Sequence, residues 1–229
     1  MTIKENLKII QEKIEKVKQD ENQKIQIIAV TKTKPITVIQ ECYEAGIRSI
    51  GENKIQEAIE KLSPNLTTPP IKKRFIGHLQ TNKVNKCINY FHTIDSVDSI
   101  KLSKKINAGA RQGGLTFPVL LEVNTAREPQ KHGFLPEETD KMLECFTHEN
   151  LKIQGLMTIA PTGKNEKEIR KSFKLLRETQ ETLNKQRPAE YDEIRELSMG
   201  MSNDFEIAVE EGSTQVRIGT ALVGKRVYL

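Results

Sequence analysis

A lysine stands at the carboxyl end of the first strand-like run, in Ala29-Val30-Thr31-Lys32-Thr33-Lys34-Pro35. Apolar neighbours that desolvate an ammonium favour its neutral, nucleophilic form, which suits a lysine to form a Schiff base with an aldehyde. Lys32 and Lys34 are two apart and lean to the same face of an extended strand, so spacing does not choose between them. Lys34 precedes Pro35 at the strand's exit, nearer solvent, which favours Lys32 as the reacting lysine. The plain alternative makes both lysines solvated charges ahead of a helix that opens at Pro35.

A second chemistry gathers at the ends of the last two strand-like runs. Ser198-Met199-Gly200-Met201-Ser202 combines hydroxyls with a glycine that lets backbone approach closely, and Gly219-Thr220 does the same after the final run. Backbone amides, a helix amino terminus and hydroxyls together make a phosphate cradle, although the same residues also read as turn glycines with capping hydroxyls. An aldehyde-binding lysine combined with a phosphate cradle points to pyridoxal phosphate. Arg217, whose neighbours Val216 and Ile218 point to the opposite face, projects towards the cofactor ring. An arginine accepts no proton, so beside the pyridine nitrogen it leaves that nitrogen unprotonated and the ring a poor electron sink. Its structural alternative is an ion pair with Glu122 or Asp95.

The elements that position these residues alternate. Strands are predicted over Ile25–Thr31, Ile47–Gly51, Arg74–Gly77, Phe91–Ile94, Phe117–Val123, Ile153–Ile159, Ile194–Ser198 and Gln215–Ile218. Helices are predicted between them, at about 36–45, 54–62, 80–88, 97–109, 137–148, 166–185 and 203–211. Ile3, Leu7, Ile10, Ile14 and Val17 add an amphipathic helix at the amino terminus. Eight strands alternating with helices predict a (β/α)8 TIM barrel, in which the carboxyl ends of the strands face one pocket and the loops after strands seven and eight favour phosphate. A doubly wound open sheet is the alternative, disfavoured because no glycine-rich dinucleotide fingerprint follows the first strand. On this reading Gly51-Glu52-Asn53, His78, Asp95, Glu122 and Asn124 also stand at strand ends. Ser63–Pro70 reads as a spacer loop, and Thr125–Pro136 as a mobile edge of the pocket.

With 229 residues, 36% hydrophobic and 29% charged, the chain is read as one soluble domain spanning 1–229. No apolar run approaches the ~20 residues that span a bilayer, and the amino terminus lacks the apolar core of a signal peptide. Cys42, Cys87 and Cys145 are widely separated and odd in number, which fits a reducing cytosol. A net charge of +5 raises nucleic acid as a partner, but lysines alternating with glutamates describe solvated helix faces rather than a basic footprint. His78, His92, His132 and His148 show no metal-ligand spacing, so no metal site is predicted.

The motifs, taken together, resemble the pyridoxal phosphate homeostasis proteins, single-domain relatives of the amino-terminal barrel of alanine racemase. The resemblance rests on Ala29–Pro35, Gly51–Asn53, Phe75–Lys83, His92–Asp95, Gly155–Pro161, Leu197–Ser202 and Val216–Thr220, in family order. It implies pyridoxal 5′-phosphate on Lys32, a phosphate site at the Ser198–Ser202 and Arg217–Thr220 motifs, and an arginine near the pyridine nitrogen. Cofactor-binding residues are accordingly Lys32, Asn53, Ser198, Gly200, Arg217, Gly219 and Thr220. Lys54 departs from the family, where an aromatic often follows Gly-Glu-Asn. The implied role is intracellular buffering or delivery of the cofactor, with apo-enzymes that use it as partners, a monomeric state and no robust turnover. Racemases add a tyrosine base on a second domain; nine residues follow Thr220 here, Tyr228 matches no such base, and His78 is the remaining candidate. An amino-acid racemase and a cofactor-free Schiff-base lyase are the alternatives.

Overall fold

The structure is a computed structural model that describes residues 1–62 and 69–225. The Ser63–Thr68 part of the predicted spacer and Tyr228 lie outside the described residues. Parallel strands close a barrel in sequence order: β1 (Gln26–Val30), β2 (Ser49–Glu52), β3 (Lys72–Phe75), β4 (Thr93–Val97), β5 (Phe117–Glu122), β6 (Leu151–Met157), β7 (Glu196–Met201) and β8 (Gln215–Ile218). β8 pairs with β1 from Gln215 opposite Gln26 to Ile218 opposite Ala29, which removes both sheet edges. The predicted (β/α)8 barrel is the observed architecture.

The first helix, α1 (Ile3–Val17), starts at a capping box in which Thr2 and Glu5 satisfy each other's backbone amides. Its buried residues, Ile3, Leu7, Ile10 and Ile14, recur at helical spacing and pack against α8 (Phe205–Glu210) and α9 (Thr220–Val223). Around the barrel run α2 (Ile36–Glu44), α3 (Ile55–Lys61), α4 (Val84–Tyr90), α5 (Ile100–Gln112), α6 (Thr139–Phe146) and α7 (Glu166–Gln186). Among the described residues no helix is long and apolar enough to cross a membrane.

Two strands differ from their predicted bounds in ways that move functional residues. β4 runs on to Val97, so Asp95 lies within it, fully buried, rather than at a strand end. Its carboxylate takes both Nε (2.6 Å) and Nη2 (3.1 Å) of Arg74, whose Nη2 also reaches Glu196 at 3.2 Å. The pair fills the barrel interior and leaves Asp95 no part in the pocket. β7 extends through Gly200 to Met201, with Gly200 at φ +94° inside the strand, where the register with β8 shifts. A glycine inside a strand marks such an irregularity as readily as it marks a turn.

Candidate functional site

A cavity of about 800 Å³ opens at the carboxyl ends of the strands. From β1 and the turn after it come Val30 and Lys32; from the β2 and β3 ends Asn53, Ile76, Gly77 and His78; from β5 and its loop Glu122, Gln130, Lys131 and His132. The loops after β7 and β8 contribute Met201 to Asp204, then Gly219 and Thr220, with Arg217 among the lining residues. Of the residues predicted to bind cofactor, Lys32, Asn53, Arg217, Gly219 and Thr220 therefore line one cavity.

Ser198 and Gly200 do not. Ser198 is fully buried within β7, and its hydroxyl accepts from Arg217 Nη1 at 2.9 Å. Gly200 is a packing position: a Cβ there would meet Ala208 Cβ at 2.6 Å and Phe205 Cα at 3.0 Å, so its missing side chain seats α8 against β7. The hydroxyl that reaches the cavity from this motif is Ser202, four residues on. Ser202 Oγ accepts from the amide of Ala221 at 3.2 Å, which ties the β7 and β8 loops together.

Lys32 and Lys34 part company for a backbone reason. β1 ends at Val30, and Thr33 adopts φ +63°, so the alternation of an extended strand does not continue through these residues. Lys34 Nζ donates to the carbonyl of Lys225 at 2.7 Å and lies outside the cavity. The turn carrying Lys32 is pinned from below. Lys61 Nζ donates to the Thr31 carbonyl at 2.9 Å and to Glu52 Oε1 at 2.7 Å; the Thr31 hydroxyl donates to Glu52, and the Thr33 amide to Glu57. Gly77 plays a similar part for Asn53, since a Cβ at Gly77 would lie 2.7 Å from Asn53 Cα.

Arg217 is held by the barrel's own oxygens. Its Nη1 donates to the Ser198 carbonyl at 2.7 Å, and Nη2 to the Thr158 carbonyl at 2.7 Å. Burial pushes its pKa down against the pull of the Asp95, Asp204 and Glu122 carboxylates, yet a guanidinium keeps its proton throughout the physiological range. No direct ion pair to Glu122 or Asp95 forms among the described residues; Asp95 is taken by Arg74.

Among the described residues Glu122 is one of two acids lining the cavity, with Asp204, whose pKa burial raises. Burial, then the nearby Asp98 carboxylate, raise the Glu122 pKa from 4.5 to about 7, against the smaller pull of Arg217. An acid whose folded pKa is raised holds its proton after the unfolded chain has released it, so stability falls as pH climbs from about 4.5 to about 7. The shift corresponds to about 3 kcal/mol, and Glu122→Gln should remove that slope from the unfolding free energy of the cofactor-free protein. Denaturant titrations at pH 5 and pH 8 check this; equal slopes in parent and variant would place the titration elsewhere.

The Thr125–Pro136 loop does form an edge of the cavity, and hydrogen bonds tie it down. Phe134 donates to Glu122 O and accepts from Asn124, both at 2.8 Å, while Asn124 Nδ2 reaches the Glu128 carbonyl at 3.0 Å. Its His132 ring stacks on His78, with centroids 3.7 Å apart.

The match to known proteins follows this geometry. The alanine racemase N-terminal domain family covers residues 3–227. The human pyridoxal phosphate homeostasis protein is 42% identical over 213 residues, 88% of this chain and 77% of that protein. Its counterpart from Aquifex aeolicus is 40% identical over 97% of this chain and 96% of its own. The chain belongs to the pyridoxal phosphate homeostasis protein family. A solved relative, PipY of Synechococcus elongatus with pyridoxal phosphate bound, superposes with TM-score 0.85 at 33% identity, covering 97% of this chain and 100% of that one. An alanine racemase from Clostridium difficile shares the fold at TM-score 0.75 and 19% identity, covering 95% of this chain and 56% of the racemase. The strand-end pattern points to Lys32, Glu122 and Gly219-Thr220, with Glu122 also read as an ion-pair partner of Arg217 and Ser202 as part of its motif. The raised pKa of Glu122 is visible only once its burial is known, and the place of Ser202 in the cavity only once β7 is seen to run past Gly200.

Proposed function

We propose that the protein binds pyridoxal 5′-phosphate through a Schiff base on Lys32 and buffers or delivers it inside the cell, without robust turnover. The observation that carries this reading is that Lys32, Arg217 and the loops after β7 and β8 open on one cavity of about 800 Å³. When bound, the cofactor supplies an aldehyde for amines and an electron-withdrawing ring. Lys32 supplies the amine. Ser202, Thr220 and the Gly219–Thr220 backbone offer neutral donors to the phosphate, and Arg217 offers donors only, which keeps the pyridine nitrogen unprotonated and the ring a weak sink. Asn53 lines the same wall. The proposed setting is cytoplasmic, with a single domain, a monomer and apo-enzymes as recipients.

Hydrogen bonds to a charged phosphate contribute roughly 1.5–3 kcal/mol each, so losing one weakens binding about ten- to a hundredfold. Ser202→Ala and Thr220→Val should each show that loss when cofactor is titrated into the apo-protein. Unchanged affinity in both would move the phosphate away from these loops.

Racemisation needs a base on each face of the substrate. Among the described residues lining the cavity there is no tyrosine or cysteine, and His78 is bound through Nδ1 to Asp98 at 3.1 Å. Loaded protein should therefore activate an apo-enzyme that needs the cofactor, yet wash deuterium into the α-carbon of alanine at a small fraction of a racemase's rate. Racemase-like exchange abolished by His78→Ala would replace this reading with an enzymatic one.

A further inference from the structure

We propose that His78, Asp98 and His132 form a binding site for one divalent transition-metal ion, of the zinc type, at the mouth of the cavity. The three come from separate loops, after β3, β4 and β5. His78 Nδ1 lies 3.1 Å from Asp98 Oδ2 and His132 Nδ1 lies 3.8 Å from the same oxygen, and the ligand atoms all fall within 4.8 Å of one another. Two imidazole nitrogens and one carboxylate oxygen are a donor set for zinc, cobalt or nickel, whereas calcium and magnesium take oxygen ligands.

Two features of the cluster favour an ion over a simple hydrogen-bonded triad. One carboxylate oxygen faces two ring nitrogens but sits within hydrogen-bond distance of only one of them. An ion at about 2.1 Å from each ligand in tetrahedral array sets ligand atoms about 3.4 Å apart, which satisfies all three at once. The rings are half-exposed, at 45% and 53%, and closing that distance opens the stack of His132 on His78 so that both nitrogens turn towards the ion. The carboxylate is also oriented from outside. Asp98 Oδ1 accepts from the Ser99 hydroxyl at 2.9 Å, which leaves Oδ2 to the histidines in the manner of an outer-shell partner.

The sequence prediction of no metal site rested on local spacing, and these ligands are brought together only by barrel closure. Three protein ligands leave a fourth position for water or for an anion entering the cavity, since both histidines line it. Bound metal would clasp the Thr125–Pro136 loop to the loops after β3 and β4, on the side of the cavity where His78 and His132 stand.

The test uses cofactor-free protein with any affinity tag removed, so it succeeds or fails independently of the cofactor reading. Titration with Co²⁺, followed by its visible d–d absorbance, should saturate at one equivalent per chain, and Zn²⁺ should displace it and raise the melting temperature. Loss of an outer-shell partner typically costs ten- to a hundredfold in affinity, so His132→Ala and Asp98→Ala, each removing a direct ligand, should weaken binding by at least about tenfold. His92→Gln, a histidine outside the cluster, should leave binding unchanged. No saturable binding below about 100 µM, or equal binding by the parent and both cluster variants, would overturn the site.

Discussion

Lys32→Ala should abolish the visible absorbance of protein-bound pyridoxal phosphate, and Lys34→Ala should leave it intact. Side-chain direction, not chemical difference, decides between the two amines. Had the chain stayed extended past Val30, residues two apart would share a face and both lysines would enter the pocket. Thr33 at φ +63° breaks that alternation; Lys32 remains in the cavity wall while Lys34 turns to the Lys225 carbonyl. An alanine at 32 leaves the cavity's phosphate donors in place, so residual non-covalent binding should persist without the Schiff-base spectrum. Borohydride reduction followed by peptide mass mapping places the adduct directly. An adduct on Lys34 in the parent protein, or full absorbance in Lys32→Ala, would refute the assignment.

The barrel itself was legible because β-branched runs alternate with amphipathic helices, and each strand end could be guessed to within a few residues. Sequence and structure part where a residue's backbone conformation departs from its usual meaning. Gly200 reads as a turn glycine but lies within β7, which shifts the cavity-facing hydroxyl from Ser198 to Ser202. Asp95 reads as a strand-end acid, yet β4 continues past it and Arg74 claims it in the barrel interior. What no window of sequence carries is the meeting of residues from different strand ends, and both the His78–Asp98–His132 cluster and the support beneath Lys32 are of that kind.

That support should prove to be one of the most sensitive points of the fold. Lys61 and Glu52 are almost wholly enclosed, with side chains 7% and 0% exposed and 2.7 Å between Nζ and Oε1. Burial raises the Glu52 pKa, and Lys61 and the Thr31 hydroxyl pull it back, so desolvation outweighs what the partners return. Removing one member of a buried pair leaves the other uncompensated, at a cost of about 3–5 kcal/mol. In a barrel of this size Lys61→Met should therefore lower the melting temperature by on the order of 10 °C. Two further measurements separate this cause from lost packing. The deficit should shrink as pH falls and Glu52 takes up a proton in the folded state, because the unpaired charge is then gone. Glu52→Gln combined with Lys61→Met should recover much of the loss, since neither member then remains charged. A deficit independent of pH and additive in the double variant would mean that shape, not charge, is what Lys61 supplies. Because Lys61 also donates to the Thr31 carbonyl, the neighbour of Lys32, the single variant should in addition form its Schiff base more slowly at temperatures where it is fully folded. Stability and cofactor capture would then fail together, the first through Glu52 and the second through the turn that aims Lys32.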